Sequence, residues 1–218
     1  MSNSFVDIQG DELESFIRHI ERHKGIRMFV NNLAKNKRIQ SQEYTVLKAE
    51  RCNIEDLKLS FFVLGLQDDK VKIVYVETEG EYSIYASCIE EENGKEIMKG
   101  YQLYNHGIKH IITRDYDAQF KKDLQTLKEQ ETQTKKRSAS KEGIPCIYGN
   151  WCGPGCSGPG DPISPVDACC KEHDLCYGEK GYFNRSCDDA LVDCLAPYVV
   201  QGDKWAIIIS KWFKRKRK

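Results

Sequence analysis

Apolar positions change their period along the chain, and each change marks a boundary between elements. Leu13, Phe16, Ile17 and Ile20 recur at steps of three or four, and Met28, Phe29 and Leu33 resume the pattern after Gly25. That spacing predicts two short helices over residues 10 to 35, broken at the glycine. From Tyr44 to Thr113 the chain turns to β-branched and aromatic runs: YTVLK, LKLSFFVLG, KVKIVYVE, YSIYASC, YQLY and KHIIT. Such runs suit a pleated, half-buried surface, and Asn93-Gly94 between two of them is a strong hairpin signal. The acidic run Glu90 to Glu92 before that turn reads as a solvated loop. Tyr116, Phe120, Leu124 and Leu127 then return to helical spacing, giving a helix expected to pack on the sheet. Residues 1–130 are therefore expected to form an α+β domain with a small antiparallel sheet and a role the sequence leaves open.

Residues 131–144 are polar, charged and almost free of large apolar side chains, and read as a linker. Beyond them, residues 145–218 hold little aliphatic material apart from Leu191, Val192 and the stretch Trp205 to Phe213. A domain so poor in apolar surface cannot offset its chain entropy unaided, so covalent staples are expected. The cysteines supply them: of the ten in the 218 residues, eight lie between Cys146 and Cys194. That density belongs to oxidised domains outside the cytosol, so a secreted or extracellular location is expected. The opening MSNSFVDIQGDELE shows no basic flank followed by an apolar stretch, so no signal peptide is read there and the export route is open. Thirty-three basic residues balance 33 acidic ones, which gives no reason to expect a nucleic-acid partner. No apolar run reaches the roughly eighteen residues that span a bilayer.

Two segments carry chemistry. In YGNWCGPG, residues 148–155, glycines alternate with bulkier residues and let backbone carbonyls turn inward, an arrangement that suits a hard cation such as calcium when a carboxylate completes the set. In DACCKEHDLCY, residues 167–177, no Gly or Pro interrupts a helix. Cys169, His173 and Cys176 then share one face, and Cys170, Asp174 and Tyr177 the adjacent one. The side chains of neighbours His173 and Asp174 diverge by about 100°, so the aspartate can hold a metal beside the imidazole while the histidine works as a base.

These two segments, with Cys187-Asp-Asp-Ala-Leu-Val-Asp-Cys194 after them, resemble the secreted phospholipase A2 family over about 50 residues from Cys146 to Cys194. The resemblance implies a mainly α-helical, disulfide-rich domain and calcium-dependent hydrolysis of the sn-2 ester of glycerophospholipids. It makes His173 the general base and Asp188 the carboxylate that orients it. Calcium would be held by Asp174 and the carbonyls of Trp151, Gly153 and Gly155. It also implies the disulfides Cys152–Cys170, Cys169–Cys194 and Cys176–Cys187, leaving Cys146 and Cys156 to pair. Only about ten residues separate Cys176 from Cys187, so the spacing is compact, nearer to plant or microbial members. The chemistry is self-consistent: a neutral histidine near its reference pKa can take a proton from water, and no serine or cysteine nucleophile is required.

Other readings compete. Cys152, Cys156, Cys170 and His173 could form a four-ligand zinc site, although adjacent Cys169-Cys170 fits paired Cys-X-X-Cys spacing poorly. A catalytically silent disulfide module that binds a membrane or receptor is the functional alternative. The pairs His19/His23 and His106/His110 read as solvated helix or turn histidines, and Cys52 and Cys88 as half-buried thiols. At the end of the chain, Trp205, Trp212 and Phe213 followed by a basic cluster read either as a packed final helix or as a segment seated on an anionic phospholipid surface. Lys135-Lys-Arg137 reads as an accessible protease site, which would make the first domain a carrier or inhibitory pro-domain.

Overall fold

The computed structural model describes residues 4–36, 38–54, 56–104, 107–137, 147–153 and 156–215, with backbone alone over 133–137. The chain divides into two compact units, one of Met1–Tyr116 with Val200–Gly202 and one of Asp117–Val199 with Asp203–Lys218.

The first unit is a seven-stranded antiparallel sheet whose strands lie in sequence order: β1 (Ser4–Asp7), β2 (Thr45–Ile54), β3 (Leu57–Leu66), β4 (Val71–Thr78), β5 (Glu81–Glu92), β6 (Lys95–Tyr104) and β7 (Gly107–Asp115). Helices α1 (Gly10–Arg22) and α2 (Lys24–Lys35) interrupt the path between β1 and β2. The break between them falls at His23, not at Gly25. His23 is extended, and its Nδ1 accepts a hydrogen bond from the Gly25 amide at 3.2 Å, serving as the N-cap of α2. Gly25 has another use: a Cβ there would lie 2.6 Å from Leu103 Cδ2 and 2.7 Å from Ile84 Cδ1. The glycine lets α2 press onto the sheet.

One sheet face and the two helices share a core in which Phe29 and Leu33 meet Phe62, Leu64, Ile73, Ile84 and Ala86. Strand β3 is buried throughout residues 61–66, where Phe61, Phe62, Val63 and Leu64 run without a polar side chain between them. The β5–β6 turn is Asn93-Gly94, both with positive φ (52° and 74°), the geometry that matches strand twist in a two-residue hairpin. Glu90 to Glu92 belong to β5 and are no solvated loop. Glu90 accepts from Arg38 Nε at 2.5 Å and Lys99 Nζ at 3.1 Å, while Glu92 also pairs with Lys99. Cys52 and Cys88 are not half-exposed but fully buried, at 1% each.

The second unit contains α3 (Ala118–Arg137), α4 (Pro165–Lys180), α5 (Arg185–Val199) and α6 (Lys204–Arg215). Helix α3, expected as a cover for the sheet, groups with this unit, where Phe120 packs 5.8 Å from the Tyr198 ring. It also runs on through residues 131–137, so Lys135 to Arg137 lie in helix and not in an extended tether; residues 138–144 of the expected linker lie outside the described residues. Helix α4 starts at Ser164, whose hydroxyl accepts from the Asp167 amide at 3.2 Å, with Pro165 in the first turn where its missing N–H costs nothing. Disulfides join Cys152–Cys170, Cys169–Cys194 and Cys176–Cys187, tying the loop to α4 and α4 twice to α5. Each closes a loop of 18, 25 or 11 residues and contributes roughly 2–4 kcal/mol. The expected Cys146–Cys156 pair lies outside the described residues at Cys146.

Trp205 of α6 is 1% exposed and stacks on Tyr148 at 4.9 Å, and Ile207 and Ile208 are equally buried. Trp205 is thus core, which removes it from the membrane-inserting set read at the chain end; residues 216–218 of the basic cluster lie outside the described residues. Among the described residues no helix is long and apolar enough to cross a membrane.

Candidate active site

Asp167, in the first turn of α4, organises the glycine-rich loop. It is fully buried, and its carboxylate accepts from the backbone amides of Asn150 (2.9 Å), Trp151 (2.9 Å) and Ile163 (3.0 Å). A buried carboxylate needs such partners, and here the amides of two successive loop residues provide them. Gly149, at φ +65°, is obligatory because a Cβ would stand 2.3 Å from the Asp167 carboxyl carbon. Tyr148 and Cys152 close the loop with reciprocal backbone bonds of 3.1 Å, and the Trp151 indole donates to the Gly160 carbonyl at 2.9 Å. The loop that carries the Trp151 and Gly153 carbonyls is therefore rigidly held. Gly155 lies outside the described residues.

His173 and Asp188 come together from α4 and α5 across the Cys176–Cys187 staple: His173 Nε2 lies 2.9 Å from Asp188 Oδ1. Tyr177, one turn beyond His173, donates its hydroxyl to the same oxygen at 2.5 Å. The imidazole is nearly enclosed, its side chain 5% exposed, with the Tyr177 ring at 4.1 Å and the Phe213 ring edge-on at 4.7 Å. Burial pushes its pKa down, but the carboxylates of Asp174 and Asp188 pull harder and the net shift is upward. Burial and the Asp188 carboxylate together raise the Tyr177 phenol, which stays protonated as a donor.

Asp174 stands on the other side of the ring, its Oδ1 3.8 Å from His173 Nδ1, too long for a hydrogen bond but within electrostatic reach. Its Oδ2 is buried with no hydrogen-bond partner among the described residues. An orphaned buried carboxylate oxygen is costly, and a cation is the partner that relieves it best. With Asp174 as the carboxylate and loop carbonyls as the neutral donors, the oxygen-only set has the chemistry a calcium ion takes. Zinc does not fit: Cys152 and Cys170 are bonded to each other.

The comparisons with known proteins converge on the same stretch. The C-terminal region is similar to secreted phospholipases A2. It is 59% identical over 34 residues to the acidic phospholipase A2 homolog taipoxin gamma chain of Oxyuranus scutellatus scutellatus, covering 16% of this chain and 21% of that one. It is 38% identical over 50 residues to the probable phospholipase A2 homolog 1 of Oryza sativa subsp. japonica, with 22% and 36% covered. With the acidic phospholipase A2 DE-II of Naja melanoleuca identity is 40% over 58 positions, 22% of this chain and 47% of the relative. The chain thus spans between about a fifth and about half of these relatives. No family model matches the chain, and no solved structure does.

Three features of this phospholipase A2-like domain went unread in the sequence. Asp167 looked like an ordinary first-turn acid. Tyr177 was placed on the face with Asp174, yet its hydroxyl reaches Asp188. The α4–α5 connection carries Tyr182 and Phe183 at 78% and 81% exposure, with Leu175 at 50% on the adjacent turn of α4. Among the described residues no group of His, Cys, Asp and Glu side chains could hold a metal: His19 and His110 are exposed, His110 in strand β7 bonded to Thr113; His106 lies outside the described residues.

Proposed function

We propose that the second unit hydrolyses the sn-2 ester of glycerophospholipids with calcium as cofactor, using a water activated by His173. What carries the reading is the pairing of a carboxylate-held imidazole with an orphaned carboxylate oxygen one residue away: His173 Nε2 is 2.9 Å from Asp188, and Asp174 Oδ2 is buried and unpartnered. When Asp188 accepts the Nε2 proton, Nδ1 keeps its lone pair on the side of Asp174 and can take a proton from water. Tyr177 shares the load on Asp188 and holds its carboxylate in register with the ring. Enclosure by Tyr177 and Phe213 keeps bulk water from competing for the imidazole, which strengthens each charge interaction inside. Asp174 and the carbonyls of Trp151, Gly153 and Gly155 would hold calcium. Bound there, calcium supplies positive charge for the oxyanion that develops on the ester carbonyl.

The substrate surface is a phospholipid bilayer, met by the Tyr182-Phe183 connection. Two aromatic side chains about four-fifths exposed, one of them on a residue with φ +63°, are an unfavourable way to finish a soluble surface. At a head-group interface the same rings are well placed. A secreted or extracellular setting would keep the three disulfides oxidised.

A second reading, a catalytically silent module that binds a membrane or receptor, is favoured by the fact that two of the matched relatives are named phospholipase A2 homologs. Incubating the full chain with phospholipid vesicles, with calcium or with a chelator, separates the two. Calcium-dependent release of fatty acid is expected. Vesicle binding without release at saturating calcium would leave the silent module.

A further inference from the structure

Helix α6 changes character at Ser210: Lys204 to Ser210 are buried, and Lys211 to Arg215 are only half-buried. A helix end held this way opens at lower cost than the turns behind it. Yet this last turn covers the candidate base. Phe213 stands edge-on to the His173 ring at 4.7 Å, the Tyr177 ring lies at 4.1 Å, and the imidazole side chain is left 5% exposed. A base so enclosed has no path to an ester, so one of the two covers has to move before it can act. Tyr177 is tied by its hydroxyl to Asp188 at 2.5 Å. Phe213 is held by ring contacts, with His173 and with Trp212 at 4.9 Å, and a phenyl ring loses little in exchanging one apolar surrounding for another. The turn is also cationic, with Lys211, Lys214 and Arg215 in five residues and no acid anywhere in α6. It lies beside the exposed α4–α5 connection, because ring contacts run from Tyr182 to Tyr177 at 5.5 Å, on to His173 and then to Phe213. A bilayer that receives Tyr182 and Phe183 therefore meets the end of α6 as well.

We propose that Phe213 is a gate on His173, closed in the free protein and opened when an anionic phospholipid surface draws the last turn of α6 away from the imidazole. Phe213 cannot cover His173 and lie among head groups at once, so the two positions are alternative states of one element. The cations supply the preference for the open state, since they gain from an anionic surface and not from a neutral one. The proposal rests on His173 being the base of the hydrolysis proposed above, and it makes that base available only at the surface that carries substrate.

The test is quenching of tryptophan fluorescence, in chelator, by vesicles of brominated phosphatidylglycerol and separately of brominated phosphatidylcholine, whose bromines quench indoles that enter the bilayer. Two full chains are compared: Trp212→Phe, which keeps Trp151 and Trp205, and the same chain with Phe213→Trp added, so that the difference between them reports position 213. On the anionic vesicles the added indole should be quenched at least about threefold more than on the neutral ones. Equal quenching on the two lipids, or no difference between the two chains, would mean that the ring stays on His173 and would overturn the proposal. If melting shows that the double substitution does not fold, the unaltered chain beside Trp212→Phe reads the same turn through Trp212, with the same two outcomes. A second measurement separates a gate from a fixed wall: calcium-dependent fatty-acid release from a short-chain phospholipid kept below its micelle concentration. With no surface to open the gate, Phe213→Ala should release at least about threefold more than the unaltered chain. Slower release by Phe213→Ala would make the ring a wall and overturn the proposal. The quenching needs no turnover, so quenching as expected with no release from either chain would count against the hydrolysis and leave the gate standing.

Discussion

The two units solve the same thermodynamic problem with different means. The first buries a continuous apolar core between seven strands and two helices and leaves its thiols Cys52 and Cys88 buried. The second relies on disulfides, three of them among the described residues, and on a buried acid, Asp167, where the first uses aliphatic packing. Packing is indifferent to redox conditions and disulfides are not, so the units should respond separately to the same perturbation. The rigidity that the staples confer on α4, α5 and the loop is also what holds His173, Asp174 and Asp188 in register.

The largest break in this symmetry should come from reduction. With about 2–4 kcal/mol per disulfide, excess reductant should remove most of the stability of the second unit and leave the first folded. Calorimetry should show one transition vanish and one persist. Burial pushes the Cys88 thiol pKa up to about 12, so in the persisting unit it should resist alkylation at pH 8 until denaturant is added. Loss of both transitions together would break the comparison.

Asp167→Ala should come next. It strands three backbone amides and opens a space behind the loop, at a cost of about 3 kcal/mol or more. Thermal denaturation should show the loss in the second transition alone, with a weakened calcium response.

The smallest effects are in pH, and they have opposite signs. Glu90 is held below its usual value of 4.5 because, although burial raises it, its bonds to Lys99 and Arg38 outweigh burial. Its contribution, less than about 1 kcal/mol, is present above pH 4.5 and is lost as pH falls through the lowered pKa. His173 is raised above 6.5, so its contribution is full below pH 6.5 and is lost as pH rises through the raised value. Acid should therefore weaken the first unit through Glu90, and alkali the second through His173. Melting temperatures of each transition between pH 3 and 9, with Glu90→Gln and Asp188→Asn as controls, check both signs.

Much of this was legible in the sequence because it is local. The β-branched runs gave six strands, Asn93-Gly94 gave the turn, and the cysteine spacing with the family resemblance gave the three disulfides. What stayed hidden depends on distant partners or on segments too short to show a period. Strand β1 has four residues, two of them exposed. Helix α3 continues past its last apolar position on helix-favouring polar residues and pairs such as Gln125 with Glu129 at 2.8 Å, which leave no amphipathic trace. Glu90 needs Arg38, 52 positions away, to be read as structural. At the site, His173, Asp174 and Asp188 could be picked out from their motif as neighbours, and the fold sets His173 2.9 Å from Asp188 and 3.8 Å from Asp174. Asp167 could not, because its partners are backbone amides that become visible only once the loop is folded.

The central claim is that His173 activates water for ester hydrolysis, and one measurement addresses it directly: fatty-acid release from phospholipid vesicles by the His173→Gln chain at saturating calcium, beside the unaltered chain and with the melting profile of both recorded. His173 belongs to no staple and no loop anchor, so at a pH above its raised pKa, where its stabilising charge is already gone, the variant should melt close to the parent and release less than about one per cent as much fatty acid, in keeping with loss of a general base. Release at a rate comparable to the parent, with an unchanged melting profile, would contradict the account.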